Sequence, residues 1–510
     1  MQIKMRTRAS SNLTSRDTFL AIDDYVFCET SGISRGLCEA VKHRENPLIP
    51  NDPNGPDAQR AQVLGVGCVE GQFQMWYLAQ DARNRWYTCY AESRDGYHWV
   101  KPELGLVERD GSTRNNIILY RDNYDFILTN IHVDLDEPDL SRRYVAPVYG
   151  EITAEHYLTD EDCKRYAFAP SHPCIRTFAT SADGIHWTED PTLNLPLRKK
   201  IESGALFKKD GIWFMAHQMI VGEYPQISPA RRYLGVSYSK DFRTWQFADE
   251  PGFYFDLGKT YERTVQTHVT PAILNYGNVV VGVEGIFYDH SELYKEETDL
   301  VIILTNDGFH WRQPIEEQPF DAVLRRGNAG DWDHSFLIQG GLVNTNDKTL
   351  VYYSATDQFG NLGYLNRQIG VAELPRDRFG YLTPSVGWGY HAPKPTAAML
   401  VTHPILIERK GLYLSLNARG AIRPGDQLKV ELQDESGQPI SGYTLADCEN
   451  IMQDGLDIPV QWAGRQSLDQ FEGKKIRVKY ELVGANFQQE ILACTQYPRI
   501  FAFNFRKSLK

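Results

Sequence analysis

Acidic side chains stand just ahead of apolar, β-rich runs at intervals along this 510-residue chain. Asp23, Asp24 and Asp52 precede the first run. Asp134 and Asp136 lie in NIHVDLDEPDLSRRY, Glu202 in KKIESGALF, Glu262 in KTYERTVQTHVTP, and Asp331 and Asp333 in GDWDHSF. Two carboxyl groups flanking a glycosidic bond can cleave it. One protonates the leaving oxygen, and the other attacks the anomeric carbon or activates water. Acids far apart in sequence serve that purpose only where a fold gathers strand openings in one place. The candidate catalytic residues are Asp24, Asp134, Glu202, Glu262 and Asp333. Arg263, His268, Trp332 and His334 are candidate substrate contacts, because aromatic faces stack on sugar rings and Arg or His bonds hydroxyls. The plainer alternative is that an Asp before a strand serves as a turn or cap residue, and that Trp332 is a packing residue. No zinc spacing, nucleophilic triad signature or phosphate loop occurs in the sequence. No residue run argues for a cofactor or a metal.

The elements that position these residues are set by an internal repeat. YTCYAESRDGYHW ends at Trp99, IRTFATSADGIHW at Trp187, LGVSYSKDFRTW at Trp245 and DLVIILTNDGFHW at Trp311. Each is a strand, a tight turn and a Trp that can fold back on the strand. Asp-Gly after a β-rich run marks the turn, since Gly tolerates φ > 0. A weaker fifth copy is IGVAELPRDRFGYL, residues 369–382, with Phe379 and Tyr381 in place of Trp. His98, His186 and His310 recur with the repeat, which favours a structural role for them. Further strand pairs precede the copies, as in GALFKKDGIWFMAHQ, and no long segment keeps a helical period. About four strands per unit and five units predict a five-bladed β-propeller over residues 1–383, with a central funnel lined by the innermost strands. SVGWGYHAPKPTAAM (385–399) reads as a connector. Alternating runs such as QLKVELQDESGQPISGY predict a β-sandwich over residues 384–510.

Composition narrows the function. The net charge of −12 argues against nonspecific binding to nucleic acid or anionic membrane. No run approaches the roughly 20 apolar residues of a membrane helix. The N-terminal stretch has basic residues but no apolar core of a secretory signal, so a cytoplasmic location is expected. Eight scattered Cys, without a CxxC pair, read as free thiols. The 28 Tyr, 23 Phe and 10 Trp suit strands and sugar-facing surfaces. A carbohydrate is the expected partner, and the oligomeric state is not legible.

The opening LAIDDYVFCETSGISR with HRENPLIP, the DGxHW turns, and GDWDHSF with SGYTLADCENI together resemble bacterial proteins of the glycoside hydrolase family 32-like group. The propeller also resembles that of family 43. The resemblance implies an all-β propeller and sandwich, and hydrolysis of a furanoside or related small glycan. In the family 43 layout a first-blade Asp would be base or nucleophile, a second-blade Asp would orient the acid, and Glu202 would be the general acid. Asn51-Asp52-Pro53-Asn54-Gly55 matches a family 32 nucleophile signature, but it is also a good turn sequence. The family's Arg-Asp-Pro and Glu-Cys motifs are missing. Two other readings stay open: a carbohydrate-binding propeller without catalysis, and phosphorolysis, which would need Arg, Lys or His clustered beside the acids.

Overall fold

The computed structural model describes residues 13–120, 127–150, 174–190, 201, 203–220, 232–255, 264–290, 295–316, 318–358, 366–385, 396–484 and 497–507. Among them the protein is all-β. Its helices there are three short 3₁₀ turns, at Asp24–Val26, Leu140–Arg142 and Asp469–Phe471.

Five antiparallel units follow one another along the chain, the last two joined into one sheet by a single parallel bridge, Thr298 to Phe336. Sheet I is Arg60–Val69, Gln72–Gln80, Trp86–Ser93 and Ile117–Tyr120. Sheet II has His132–Val133 and Ile127–Leu128 beside Tyr144–Gly150, then Cys174–Ser181 and Thr188–Asp190. Sheet III is Gly204–Lys209, Ile212–Ile220, Arg232–Ser239 and Gln246–Phe247. Sheet IV is Thr264–Asn275, Val280–His290, Lys295–Thr305 and Ala322–Leu324. Sheet V is Phe336–Asn344, Lys348–Thr356 and Gln368–Pro375, and its fourth strand, Val41–Lys42, comes from near the N-terminus. First strands touch in succession from I to V, and that of V touches that of I.

The repeated turns join third strand to fourth and wedge each sheet against the one before it. In sheet I the Asp95 carboxylate accepts the backbone N–H groups of Tyr97 and His98, each at 2.9 Å, and faces His98 Nδ1 at 2.7 Å. Trp99 Nε1 donates to Gly96 O at 3.2 Å. The turns at Asp183 and Asp307 repeat this pattern of carboxylate and imidazole. The histidines therefore close turns, as their recurrence suggested. Each turn meets the preceding sheet. Trp76 Nε1 of sheet I donates to Gly184 O at 2.6 Å, and a Cβ on Gly184 (φ 78°) would sit 2.6 Å from the same indole. Phe178 of sheet II packs on Phe242 in the turn of sheet III, centroids 5.0 Å apart. Tyr276, in the first hairpin of sheet IV, donates to Asp377 Oδ1 at 2.7 Å. Tyr352 of sheet V donates to Gly96 O of sheet I at 2.8 Å, which links the last sheet to the first.

Two further sheets share one core. One holds Ile33–Leu37, Gly380–Pro384, Arg499–Lys507, Leu412–Arg419, Asp454–Pro459 and Thr18–Leu20. The other holds Phe27–Ser31, Thr396–Thr402, Lys475–Gly484, Ile405–Leu406 and Gln427–Gln433. Leu414, Leu416 and Phe503 from the first pack with Leu400, Val430 and Tyr480 from the second, all buried. Strand pairing thus places Thr18–Leu37 with the C-terminal strands, not with sheets I to V, and the 383/384 division cuts through this pairing. The sequence pattern does not reveal it, because the hydrogen bonds join the two ends of the chain. Cys28, Cys38, Cys68, Cys89 and Cys448 are free thiols.

Candidate functional site at the openings of the inner strands

The first strands of sheets I, IV and V open toward a cluster of arginines and aromatic rings. Arg60, the first residue of its strand, bonds Gln62 Oε1. Arg367 Nη1 donates to the same oxygen at 2.6 Å, and its backbone runs beside Arg60. The Arg60 guanidinium lies 5.0 Å from the Trp86 ring, and that of Arg367 lies 5.6 Å from Phe336. Phe336 meets His268 edge-on at 4.9 Å, and His268 stacks on Phe287 at 5.3 Å. Arg232 of sheet III covers Phe287 at 5.1 Å. Aromatic faces hold the planar guanidinium groups by cation–π attraction and stacking. Burial, then the charges of Arg232 and Arg367, press the His268 pKa well below its usual value, so the ring is neutral. Its Nδ1 has no hydrogen-bond partner. The cluster can donate hydrogen bonds to hydroxyl or anionic groups and can stack on sugar faces.

The inner strands are irregular at this level. Register shifts fall between Val63 and Gly65, between His268 and Ala272, and between Gln339 and Gly341. Bulges re-aim side chains and are common beside active sites. Within the fourth, Val269 has φ 66°. A β-branched residue there is strained, and such strain clusters at functional sites.

Among the described residues the structure does not bring the candidate acids Asp24, Asp134 and Asp333 together. Glu202, Glu262 and Arg263 lie outside the described residues. Asp24 is half-exposed, pairs with Arg35, and sits in a 3₁₀ turn capped by Asp23. Asp23 is buried against Arg312 at 2.7 Å and Asn278 at 3.2 Å, at the end of sheet IV away from His268. Asp134 belongs to that same far side. It follows the first strand of sheet II and binds Lys208, near the end of the sheet III first strand, at 2.5 Å. Lys208 also binds Glu137 at 2.7 Å. Asp136 is an exposed neighbour whose N–H is accepted by Asp134.

Asp333 stands three residues before its strand but turns away from the openings. It is buried on the face of sheet V, 2.6 Å from Lys42 Nζ, and accepts the Tyr353 hydroxyl at 3.0 Å. Sheet I repeats this arrangement. Buried Asp57, also three residues before its strand, lies 2.6 Å from Lys101 and 3.3 Å from the Tyr77 hydroxyl. A triad built twice at matched positions supports the sheet. Trp332 stacks on Tyr353 at 5.6 Å, and half-buried His334 faces Asp331 O at 3.1 Å. Both therefore serve this loop. Asp52 is exposed and caps its own turn, accepting Asn54 N–H at 3.0 Å, so Asn51–Gly55 is a turn. Of the proposed contacts, His268 alone among the described residues reaches the cluster. Arg60, Gln62, Trp86, Arg232, Phe287, Phe336 and Arg367 are not among the sequence candidates, because acids ahead of strands do not point to them. The sequence signal they carry is a polar residue at a strand opening, as with Arg60 and Gln62.

No protein-family model and no curated protein matches the chain. Among solved structures it is similar to one described as showing that the GH130 family of mannoside phosphorylases contains glycoside hydrolases targeting beta-1,2 mannosidic linkages in Candida mannan. That match has 15% identity, covers 67% of this chain and 94% of that one, and has a TM-score of 0.45. A glycosyl hydrolase from Bacteroides ovatus matches at 15% identity, over 67% and 94%, with a TM-score of 0.44. An N-acetylgalactosamine deacetylase from F. plautii, solved with blood group B trisaccharide, matches at 16%, over 68% and 96%, with a TM-score of 0.42. Likeness at this level does not reach chemistry. Among the described residues no helix is long and apolar enough to cross a membrane.

Proposed function

We propose that this protein is a glycan-active enzyme, a glycoside hydrolase built as a five-bladed β-propeller with a β-sandwich. Its substrate enters at the openings of the inner strands. The observation that carries the reading is the cluster of Arg60, Gln62, Trp86, Arg232, His268 and Arg367, drawn from four different sheets. Rings and planar hydrogen-bond donors in one place suit a sugar, which offers faces and hydroxyls. The Lys42–Asp333 and Lys208–Asp134 pairs argue against those acids as proton donors, because each is bound to a lysine. Glu202 and Glu262 therefore remain as the proposed carboxyl pair. In sequence they stand directly ahead of the first strands of sheets III and IV. Glu202 takes the role of general acid. A furanoside or related small glycan is the proposed substrate, and residues 41–375 form the catalytic unit.

A second reading is favoured by the arginines. Phosphorolysis needs a cationic site beside the acids, and Arg60, Arg232 and Arg367 offer one. The test is turnover on a panel of fructo- and arabinofuranosides and common pyranosides, with and without inorganic phosphate, read by mass spectrometry. Free sugar released without phosphate supports hydrolysis. A sugar phosphate formed only with phosphate supports the second reading. No turnover, with a ligand-induced rise in Tm, would replace both with sugar binding alone.

A further inference from the structure

Behind the openings, sheet IV holds a buried carboxyl group with no counter-charge among the described residues. Glu284 lies on the second strand and is fully buried. Neither carboxyl oxygen has a hydrogen-bond partner in good geometry. Burial drives its pKa well above the usual range, opposed by the backbone of His268, and among the described residues no Lys, Arg or His charge acts on it. It differs in this from Asp23, Asp57, Asp134 and Asp333, each buried with a cation within hydrogen-bond reach. A lone buried carboxylate is too costly to persist, so a proton or a cation must accompany it.

The surroundings are rich in oxygen. Gly285 pairs with His268, and Val283 with Ala272, so Glu284 stands opposite the three-residue bulge Val269, Thr270 and Pro271. A Cβ on Gly285 would lie 2.9 Å from His268 O, so the glycine lets the two strands close here. The buried hydroxyls of Thr267 and Thr270 have no hydrogen-bond partner. Thr267 pairs with Ile286, which puts it on the Glu284 face of the sheet. The bulge is held from both sides. Gln218 of sheet III accepts the Val269 N–H at 2.7 Å, and Gln339 of sheet V donates to His268 O at 2.9 Å and Thr270 O at 2.8 Å. Neighbouring sheets thus fix a strained loop of backbone against an unpaired carboxylate.

We propose that Glu284, the Thr267 and Thr270 hydroxyls and the bulge carbonyls form a binding site for a monovalent metal cation, Na⁺ or K⁺. Hard oxygen donors suit such an ion. One carboxylate balances one positive charge, whereas a divalent ion would leave net charge in the interior. The bound ion would hold the bulge and so fix His268 at the opening. The proposal stands whether or not the protein acts on glycans.

The test is the Tm of the full chain, dialysed into choline chloride and titrated with NaCl or KCl at constant ionic strength. A saturable rise of about 2 °C or more is expected with one of the two ions, by mass action on the folded state. Equal Tm in all three salts would overturn the proposal and assign Glu284 a proton instead. In Glu284→Gln the cation dependence should vanish. If that variant keeps the full dependence, the ion sits elsewhere and the proposal fails. Should Glu284→Gln not fold, Thr267→Val supplies the second variant: a weakened apparent affinity is expected, and an unchanged affinity would overturn the proposal.

Discussion

The rim turns and the inner-strand openings of the same sheets are built on opposite principles. At the rim, Asp95, Asp183 and Asp307 each accept two backbone N–H groups and an imidazole, and each Trp or turn residue locks onto the preceding sheet. At the openings, among the described residues, no turn motif of this kind recurs. There the backbone bulges, Val269 is strained, and the buried oxygens of Gln266, Thr267, Thr270, Glu284, Thr298 and Gln339 have no hydrogen-bond partner. The rim spends its polar groups on the fold. The openings keep theirs, and that is where binding is to be sought. Repetition in this chain marks structure.

Four substitutions sharpen the contrast, the largest first. Trp76→Ala removes a fully buried indole and its bond to Gly184 and should cost about 3–5 kcal/mol, read by denaturant unfolding. A loss under 1 kcal/mol would mean the turn is not the wedge between sheets I and II. Asp333→Ala leaves Lys42 facing a buried gap and should cost about 3 kcal/mol. Thr305 and Thr298 share one strand and are equally buried. Thr305→Val should cost about 1 kcal/mol, because its hydroxyl accepts the Gly308 N–H at 2.9 Å. Thr298→Val, whose hydroxyl has no hydrogen-bond partner, should be neutral or stabilising. Equal losses would erase the distinction between rim and opening.

The smallest effect concerns pH. Burial would raise the Asp183 pKa, but the backbone and ring N–H groups of His186 outweigh it and lower the pKa to about 2. A depressed folded pKa contributes stability that is present above the unfolded value near 4 and lost as pH falls through the folded one. Asp183→Asn should therefore flatten the decline of Tm between about pH 4 and pH 2. The side chain is 49% exposed, so solvent screening keeps the gain small. An unchanged slope would remove the carboxylate from the turn's stability.

Much of the fold was legible because strands and turns carry local signals. Asp-Gly and the following Trp mark the third strands of three sheets, Asp241-Phe242 and Trp245 mark that of sheet III, and Arg376-Asp377 marks the fifth, where the left-handed residue is Asp377 at φ 64°. Pairing between the chain's ends was not legible: nothing local in Val41–Lys42 or Thr18–Leu20 names a partner more than 300 residues away. The site was harder still. An Asp three residues before a strand reads alike whether it faces a funnel or a lysine, and only tertiary packing put Lys42 on Asp333 and Lys208 on Asp134. Arg232, Phe287 and Arg367 meet around His268 from three sheets, with no shared motif in the sequence.

The central claim is that chemistry occurs at the inner-strand openings and not in the GDWDHSF loop. The direct test compares kcat/KM of Glu202→Gln and Asp333→Asn with wild type, on a substrate found in the glycan panel, well below the Tm of each variant. The account predicts a loss of about 10²–10⁴-fold for Glu202→Gln and near-wild-type turnover with a lowered Tm for Asp333→Asn. Full activity in Glu202→Gln together with a dead but folded Asp333→Asn would contradict it.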